Sequence, residues 1–176
     1  LSPADCGETV NCLVAALEHN GPVYLRLSGA NVNPPVYKDD YDFQIGKAVT
    51  LREGADITVF ATGTMVHQAL GAAEILAESG VDAAVVDMHT IKPIDQEAIK
   101  AASERSKLLV SVEEHNVVGG LGSAIAEYSA TLCSTPRQVF IGIPDAYGKA
   151  GEYPDLLEKY ELTAPQIAAR IKAELR

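Results

Sequence analysis

Positive charge is in short supply in this 176-residue chain. Its 14 lysines and arginines stand against 24 aspartates and glutamates, a formal net charge of −10. A general nucleic-acid binder needs a basic face for phosphates, and docking on an anionic membrane needs the same, so neither partner is expected. Cysteine is scarce as well. Cys6 and Cys12 would be separated by about 600° of helix and face different sides, and Cys133 lies far off. No CxxC or paired Cys/His spacing offers a zinc site, which leaves free thiols in a reducing compartment as the expectation. No apolar run is long enough to cross a bilayer, and no signal-peptide pattern opens the chain. A cytoplasmic location is therefore expected. The first residues are Leu1-Ser2-Pro3 with no methionine, which reads as a processed product or a piece of something longer. There is no GxGxxG, no GxxxxGK[ST] and no GxSxG, so the dinucleotide, P-loop and hydrolase fingerprints are all missing.

What is present is an alternation of strand and helix patterns. The length fits one domain, or one and a fragment, and 47% hydrophobic residues are enough for a core. Residues 5–19 read as a helix, with Asp5 and Glu8 at capping-box spacing and Val10, Leu13, Val14 and Leu17 on one face. Asn20-Gly21-Pro22 stops it, and Val23–Leu27 reads as a strand. One helix and one strand cannot bury their apolar faces alone. Residues 1–28 are thus expected to be the tail of an incomplete domain, and residues 29–45, rich in Asn, Pro and Asp, a linker. From residue 46 to 176 the pattern is complete. Gly46–Leu51 and Ile57–Ala61 flank Glu53-Gly54-Ala55-Asp56 and read as a hairpin. A helix follows with Val66, Ala69, Leu70, Ala73 and Leu76 inward. Then come strand Ala83–Asp87, a helix capped by Asp95, strand 107–112, helix 121–132, strand Gln138–Ile143, a short helix and a last helix capped by Thr163. Right-handed crossovers turn this into a three-layer α/β/α fold: five strands, mostly parallel, the first antiparallel at an edge.

The most informative stretch is Glu113-Glu114-His115-Asn116-Val117-Val118-Gly119-Gly120-Leu121-Gly122, between an apolar strand and a helix. Side chains alternate along a strand, so Glu113 and His115 converge while Glu114 points away. Two ligands make a poor metal site, and an interface or surface role is the plainer reading. Gly119, Gly120 and Gly122 have two readings. They form either an anion cradle at a helix N-terminus or simply a tight turn. Ser111 or Ser123 with His115 makes a weak hydrolase candidate, because neither serine sits in an elbow motif. Lys92 is reactive only if desolvated; otherwise it is a solvated loop end. His19 and His67 read as helix-surface residues.

Several motifs, in order along the whole chain, resemble the C-terminal section of transketolases. They are Pro3-Ala4-Asp5 with Glu8-Thr9, Gly21–Leu27, Ala61-Thr62-Gly63, Met88–Asp95, Glu113–Glu127 and Leu157–Thr163. Deoxyxylulose-phosphate synthases and 2-oxo acid dehydrogenase β subunits share the layout and are the alternatives within the superfamily. A stand-alone α/β binding module is the alternative outside it. The resemblance implies an enzyme of pentose phosphate metabolism that transfers a two-carbon ketol unit between sugar phosphates. It also implies thiamine diphosphate and a divalent metal (Mg or Ca), both held by sections outside this chain. No catalytic, cofactor or metal residue is carried over here. The implied partner is an N-terminal transketolase section, in a homodimer or heterotetramer, with Leu13, Leu17, Glu113, His115 and the three glycines at interfaces or turns. One departure stands out. Many transketolases place a substrate-phosphate arginine where this chain has Gly29, after Leu27-Ser28. Arg26 is the substrate-binding candidate left nearby, although strand alternation should turn it to the other face.

Overall fold

A computed structural model describes residues 1–28 and 34–175. Its centre is a five-stranded sheet formed by β1 (Val49–Arg52), β2 (Ile57–Ala61), β3 (Ala83–Asp87), β4 (Leu108–Asn116) and β5 (Arg137–Ile143). The order is β1-β3-β2-β4-β5. β3, β2, β4 and β5 run parallel, and β1 is antiparallel to β3 at the edge. The helices are α1 (Cys6–Glu18), α2 (Met65–Ala77), α3 (Gln96–Arg105), α4 (Leu121–Ser129), α5 (Tyr153–Lys159) and α6 (Ala164–Glu174).

Strand alternation sorts the core into two halves. Val59, Ala61, Val85, Val110 and Val112 face α2 and α6, packing on Val66, Ala69, Ala73, Leu76, Ile167 and Ile171. Phe60, Val86 and Leu109 face the other way, onto Ile99 and Ala102 of α3 and Leu121 and Ile125 of α4. All five residues of β2 and of β3 are buried, as expected of parallel strands covered on both faces. The predicted caps form. Asp95 accepts from the amides of Glu97 and Ala98, and Thr163 closes a capping box with Gln166.

Two expectations are corrected. Residues 49–61 are not a hairpin, because β1 pairs with β3, not β2. The fully buried β2 takes a parallel neighbour on each side, which leaves the half-exposed β1 for the edge. The four-residue link must then pass over the start of β3. Gly54 permits it, since a Cβ there would lie 2.2 Å from the Ala84 amide nitrogen. Nor is Val23–Leu27 a strand. It is irregular, and its pairing is with Leu1: the Leu1 amino group donates to the Tyr24 carbonyl and the Arg26 amide to the Leu1 carbonyl, each at 2.8 Å. A strand needs a neighbouring ladder, and this segment has none among the described residues.

α1 packs in reverse. Asp5 caps it through the Glu8 amide (2.9 Å), but the Glu8 carboxylate takes the Ala4 amide (2.6 Å) instead of the N-cap amide. The buried side carries Glu8 and Cys12, while Val10, Leu13, Val14 and Leu17 are 49–87% exposed.

The crossing of β1 to β2 over β3 yields a test. Gly54→Ala should cost about 2 kcal/mol or more, because backbone cannot yield as a flexible side chain can. Thermal denaturation should show a midpoint lower by several degrees. An unchanged midpoint would mean that the link does not run over β3.

Candidate functional site

The chain leaves β2 through α2 on one face and leaves β3 through α3 on the other. The carboxyl ends of β2 and β4 therefore flank the point where the winding reverses, the place where open α/β sheets leave a crevice. A cleft of about 540 Å³ lies there. Its walls are Thr62 after β2, Ile91 to Pro93 after β3, Glu113 and His115 of β4, Gly119 to Leu121, and residues from the N-terminal segment including Leu1, Ser2, His19, Tyr24 and Arg26.

The glycine turn already holds an anion, and it is the protein's own. Glu113 is 1% exposed, and its two carboxylate oxygens accept from the Leu121 amide (2.7 Å) and the Gly122 amide (2.9 Å) at the start of α4. This is the orientation that the N-terminal end of a helix favours. Burial still raises the Glu113 pKa, with those amides pulling against it. Each glycine then has a cause. Gly119 turns the chain at φ +78. A Cβ on Gly120 would lie 1.9 Å from Glu113 Oε2, and one on Gly122 would lie 2.4 Å from the Phe140 ring and 2.6 Å from Ser111 Oγ. His115 and Glu113 do converge, with Nδ1 and Oε2 3.9 Å apart, but the imidazole is on the exposed side.

Glu114 points the other way, out of the cleft, and ties the starts of α2 and α5 to β4. Its Oε2 accepts from Thr64 Oγ1 (2.5 Å) and Tyr153 Oη (2.7 Å). Burial pushes the Tyr153 phenol up to about 12. The Glu114 carbonyl accepts from the Arg26 guanidinium (2.8 Å), and Gly63 donates its amide to the Ser2 carbonyl (3.1 Å). The crevice is thus partly filled by residues 1–2 and 24–26. Among the described residues, no group of three or more His, Cys, Asp or Glu is placed to hold a metal ion.

Residues 46–167 match the model of the transketolase C-terminal domain. The chain belongs to that family. It is similar to a split-gene transketolase whose structure is described as an inactive β4 tetramer: 40% identity, TM-score 0.90, covering 98% of this chain and 56% of that one. It is also similar to the 6-deoxy-6-sulfo-D-fructose transketolase subunit of Clostridium sp. strain MSTE9, at 40% identity over 91% of this chain and 51% of that protein. A third relative is the 1-deoxy-D-xylulose-5-phosphate synthase of Desulforudis audaxviator, at 37% identity over 100% of this chain and 28% of that protein. The chain thus spans about half the length of the transketolase relatives and little over a quarter of the synthase.

Within this chain the expected site residues are scattered in role. Arg26, Glu113, His115, Gly119 and Gly120 do line one cleft, Gly122 sits at the helix start beside it, and Leu13 and Leu17 lie on the outer face of α1. Arg26 spends a guanidinium nitrogen on the Glu114 carbonyl. Gly29 lies outside the described residues. Lys92 is exposed, as are His19 and His67. Sequence reasoning turned Glu114 away from Glu113 but passed over its partners Thr64 and Tyr153. It also passed over a buried cluster of Glu8, Asp87, Tyr37 and Tyr41 at the end of β3. The available signals were an acid on the non-apolar face of α1 and an acid closing an otherwise apolar strand.

A double-mutant cycle tests the internal cap. Glu113→Ala removes two charge-assisted bonds and should cost about 2–3 kcal/mol in denaturant unfolding. Gly120→Ala alone should cost a comparable amount by displacing the carboxylate, but much less in the Glu113→Ala background. Additive costs would show that Gly120 serves some other contact.

Proposed function

We propose that this chain is the C-terminal section of a transketolase, which transfers a two-carbon ketol unit between sugar phosphates once assembled with an N-terminal section. The observation that carries this reading is α1. A helix that buries Glu8 and Cys12 and leaves Val10, Leu13, Val14 and Leu17 outside has its apolar partner in another section or subunit. The matched relatives support the reading, since about twice this length is found in the similar transketolase chains. The setting would be pentose phosphate metabolism in the cytoplasm. No described helix is long and apolar enough to cross a membrane.

The family implies thiamine diphosphate with a divalent cation. The residues of this chain do not fit that group. The glycine-rich helix start, the natural place for a diphosphate, is closed by the Glu113 carboxylate. A second anion there would meet a like charge in a buried site. The cofactor is accordingly assigned to the other sections, and this section to holding them together. The same closed turn counts against a stand-alone anion-binding module. A deoxyxylulose-phosphate synthase remains the second reading, favoured by the match over the entire chain. It would give this section the same place in the assembly.

The chain by itself is expected to bind no thiamine diphosphate and to turn over no sugar phosphate. Calorimetry that found micromolar binding, about −8 kcal/mol, would overturn the assignment. Assembly is expected to run through α1. Leu13→Asp should weaken association, since burying an unpaired carboxylate costs several kcal/mol, whereas Glu18→Lys on the exposed end should do little. Sedimentation of both variants checks this. A wild type that stays monomeric at high concentration, or a Leu13→Asp variant that assembles normally, removes α1 from the interface.

A further inference from the structure

Two acids face each other without a cation at the carboxyl end of β3. Asp87 is fully buried and Glu8 of α1 is 1% exposed. Glu8 Oε1 accepts from Tyr41 Oη (2.5 Å) and lies 3.2 Å from Tyr37 Oη, whose oxygen is also 2.8 Å from Asp87 Oδ2. A hydroxyl has one proton, so Tyr37 can donate to only one of the two carboxyls at a time. Asp87 Oδ1 has no hydrogen-bond partner. The segment that supplies the tyrosines is tied to α1 again through Asp5, whose Oδ2 accepts from the amides of Val36 (2.7 Å) and Tyr37 (3.3 Å).

The remaining titratable neighbours bring no positive charge to the pair. α1 contributes Asp5 and the Cys12 thiol, which burial pushes up to about 12. Residues 34–45 contribute Tyr37 and Tyr41, both raised by burial. Two residues beyond Asp87, buried His89 is held down to about 4 and is neutral. The Leu1 amino group acts on Cys12. No lysine or arginine pairs with either carboxyl among the described residues.

Two ionised carboxylates this close, stripped of water and without a counter-ion, cannot both persist. We propose that Glu8 and Asp87 hold one proton between them, and that this proton fastens α1 and residues 34–45 onto the end of β3. Base takes that proton into solvent and leaves two carboxylates facing each other, and the fastening opens. Burial is the first cause that raises both carboxyls, and for Asp87 the neighbouring Glu8 is the second. An acid raised in the docked state contributes fully below the ordinary carboxylate range. Its contribution is lost as pH climbs through the raised value. The latch therefore opens toward alkaline pH, not toward acid. Because α1 also carries the exposed apolar face, the same proton governs how firmly that face is presented.

Hydrogen exchange on the whole chain, followed from about pH 6 to about pH 9 and corrected for the intrinsic pH dependence of amide exchange, tests the proposal. The opening constant of residues 6–18 and 34–45 should rise by up to about tenfold per pH unit while β2 and β4 stay unchanged. Glu8→Gln or Asp87→Asn alone should move that rise to lower pH, and the two together should abolish it. An opening constant independent of pH in the wild type overturns the proposal, as does a rise that persists undiminished in the double variant. Should the double variant not fold, the wild-type infrared spectrum decides. A protonated-carboxyl stretch present at the low end of the range and gone at the high end supports the shared proton, and its absence throughout refutes it.

Discussion

Successive residues of β2 belong to different cores. Val59 and Ala61 lie against α2 and α6, and Phe60 lies against α3 and α4. A strand loaded on both faces cannot sit at an edge and cannot be left with one layer of helices. That constraint sends α2 and α3 to opposite sides and makes β4 the far neighbour of β2. It also displaces β1 to the outside of β3. The winding reversal at the carboxyl ends of β2 and β4 follows from the same demand for burial, and the crevice exists because two helices depart in opposite directions.

Folds of this kind often place a ligand in such a crevice. Here the protein occupies much of it with its own atoms. The helix dipole and free amides at the start of α4 are satisfied by Glu113 of β4, whose carboxylate occupies the space that a side chain at Gly120 would fill. On the other side of the strand, Glu114 collects Thr64 and Tyr153, and its carbonyl collects Arg26. Adjacent acids on one strand thus do opposite jobs because alternation sends one into the helix start beside the crevice and the other toward the starts of α2 and α5. The remaining volume is bounded by residues 1–2 and 24–26, so the crevice is a seam between two parts of the chain before it is anything else.

The layers, the parallel strands and the caps at Asp95 and Thr163 were legible because each rests on a local signal: two-sided burial, periodicity or an N-cap residue. The antiparallel edge strand is where it was expected, although the hairpin it was argued from does not form. What was illegible was pairing. Residues 49–61 carry a short polar link between two apolar runs, which is all a hairpin shows in sequence. Only the competition of β2 for two parallel neighbours excludes it. Val23–Leu27 has the composition of a strand, yet strand structure is a property of neighbours. The site fared similarly. Glu113, His115 and the glycines were found by spacing, but that the turn is filled from within depends on a carboxylate reaching eight residues along the chain. The Glu8–Asp87 cluster was beyond reach, since its members come from three segments that only the fold brings together.

α1 brings these points together. Its capping residue, its inner acid and its buried thiol all belong to contacts within this chain, while its apolar side belongs to none of them. A helix with an apolar face would ordinarily turn that face inward. The inversion is tolerable only if the outward face is covered elsewhere and the inward acids are neutralised where they lie. Hydroxyls, backbone amides and a shared proton can supply the second condition, and another section of a transketolase can supply the first. Meeting one condition does not meet the other. Holding α1 against β3 leaves Leu13 and Leu17 still uncovered, and covering them leaves Glu8 and Asp87 still facing each other. On the proposed reading α1 is a joint with a polar inner contact and an apolar outer one, and the proton that holds the first sets how firmly the second is presented.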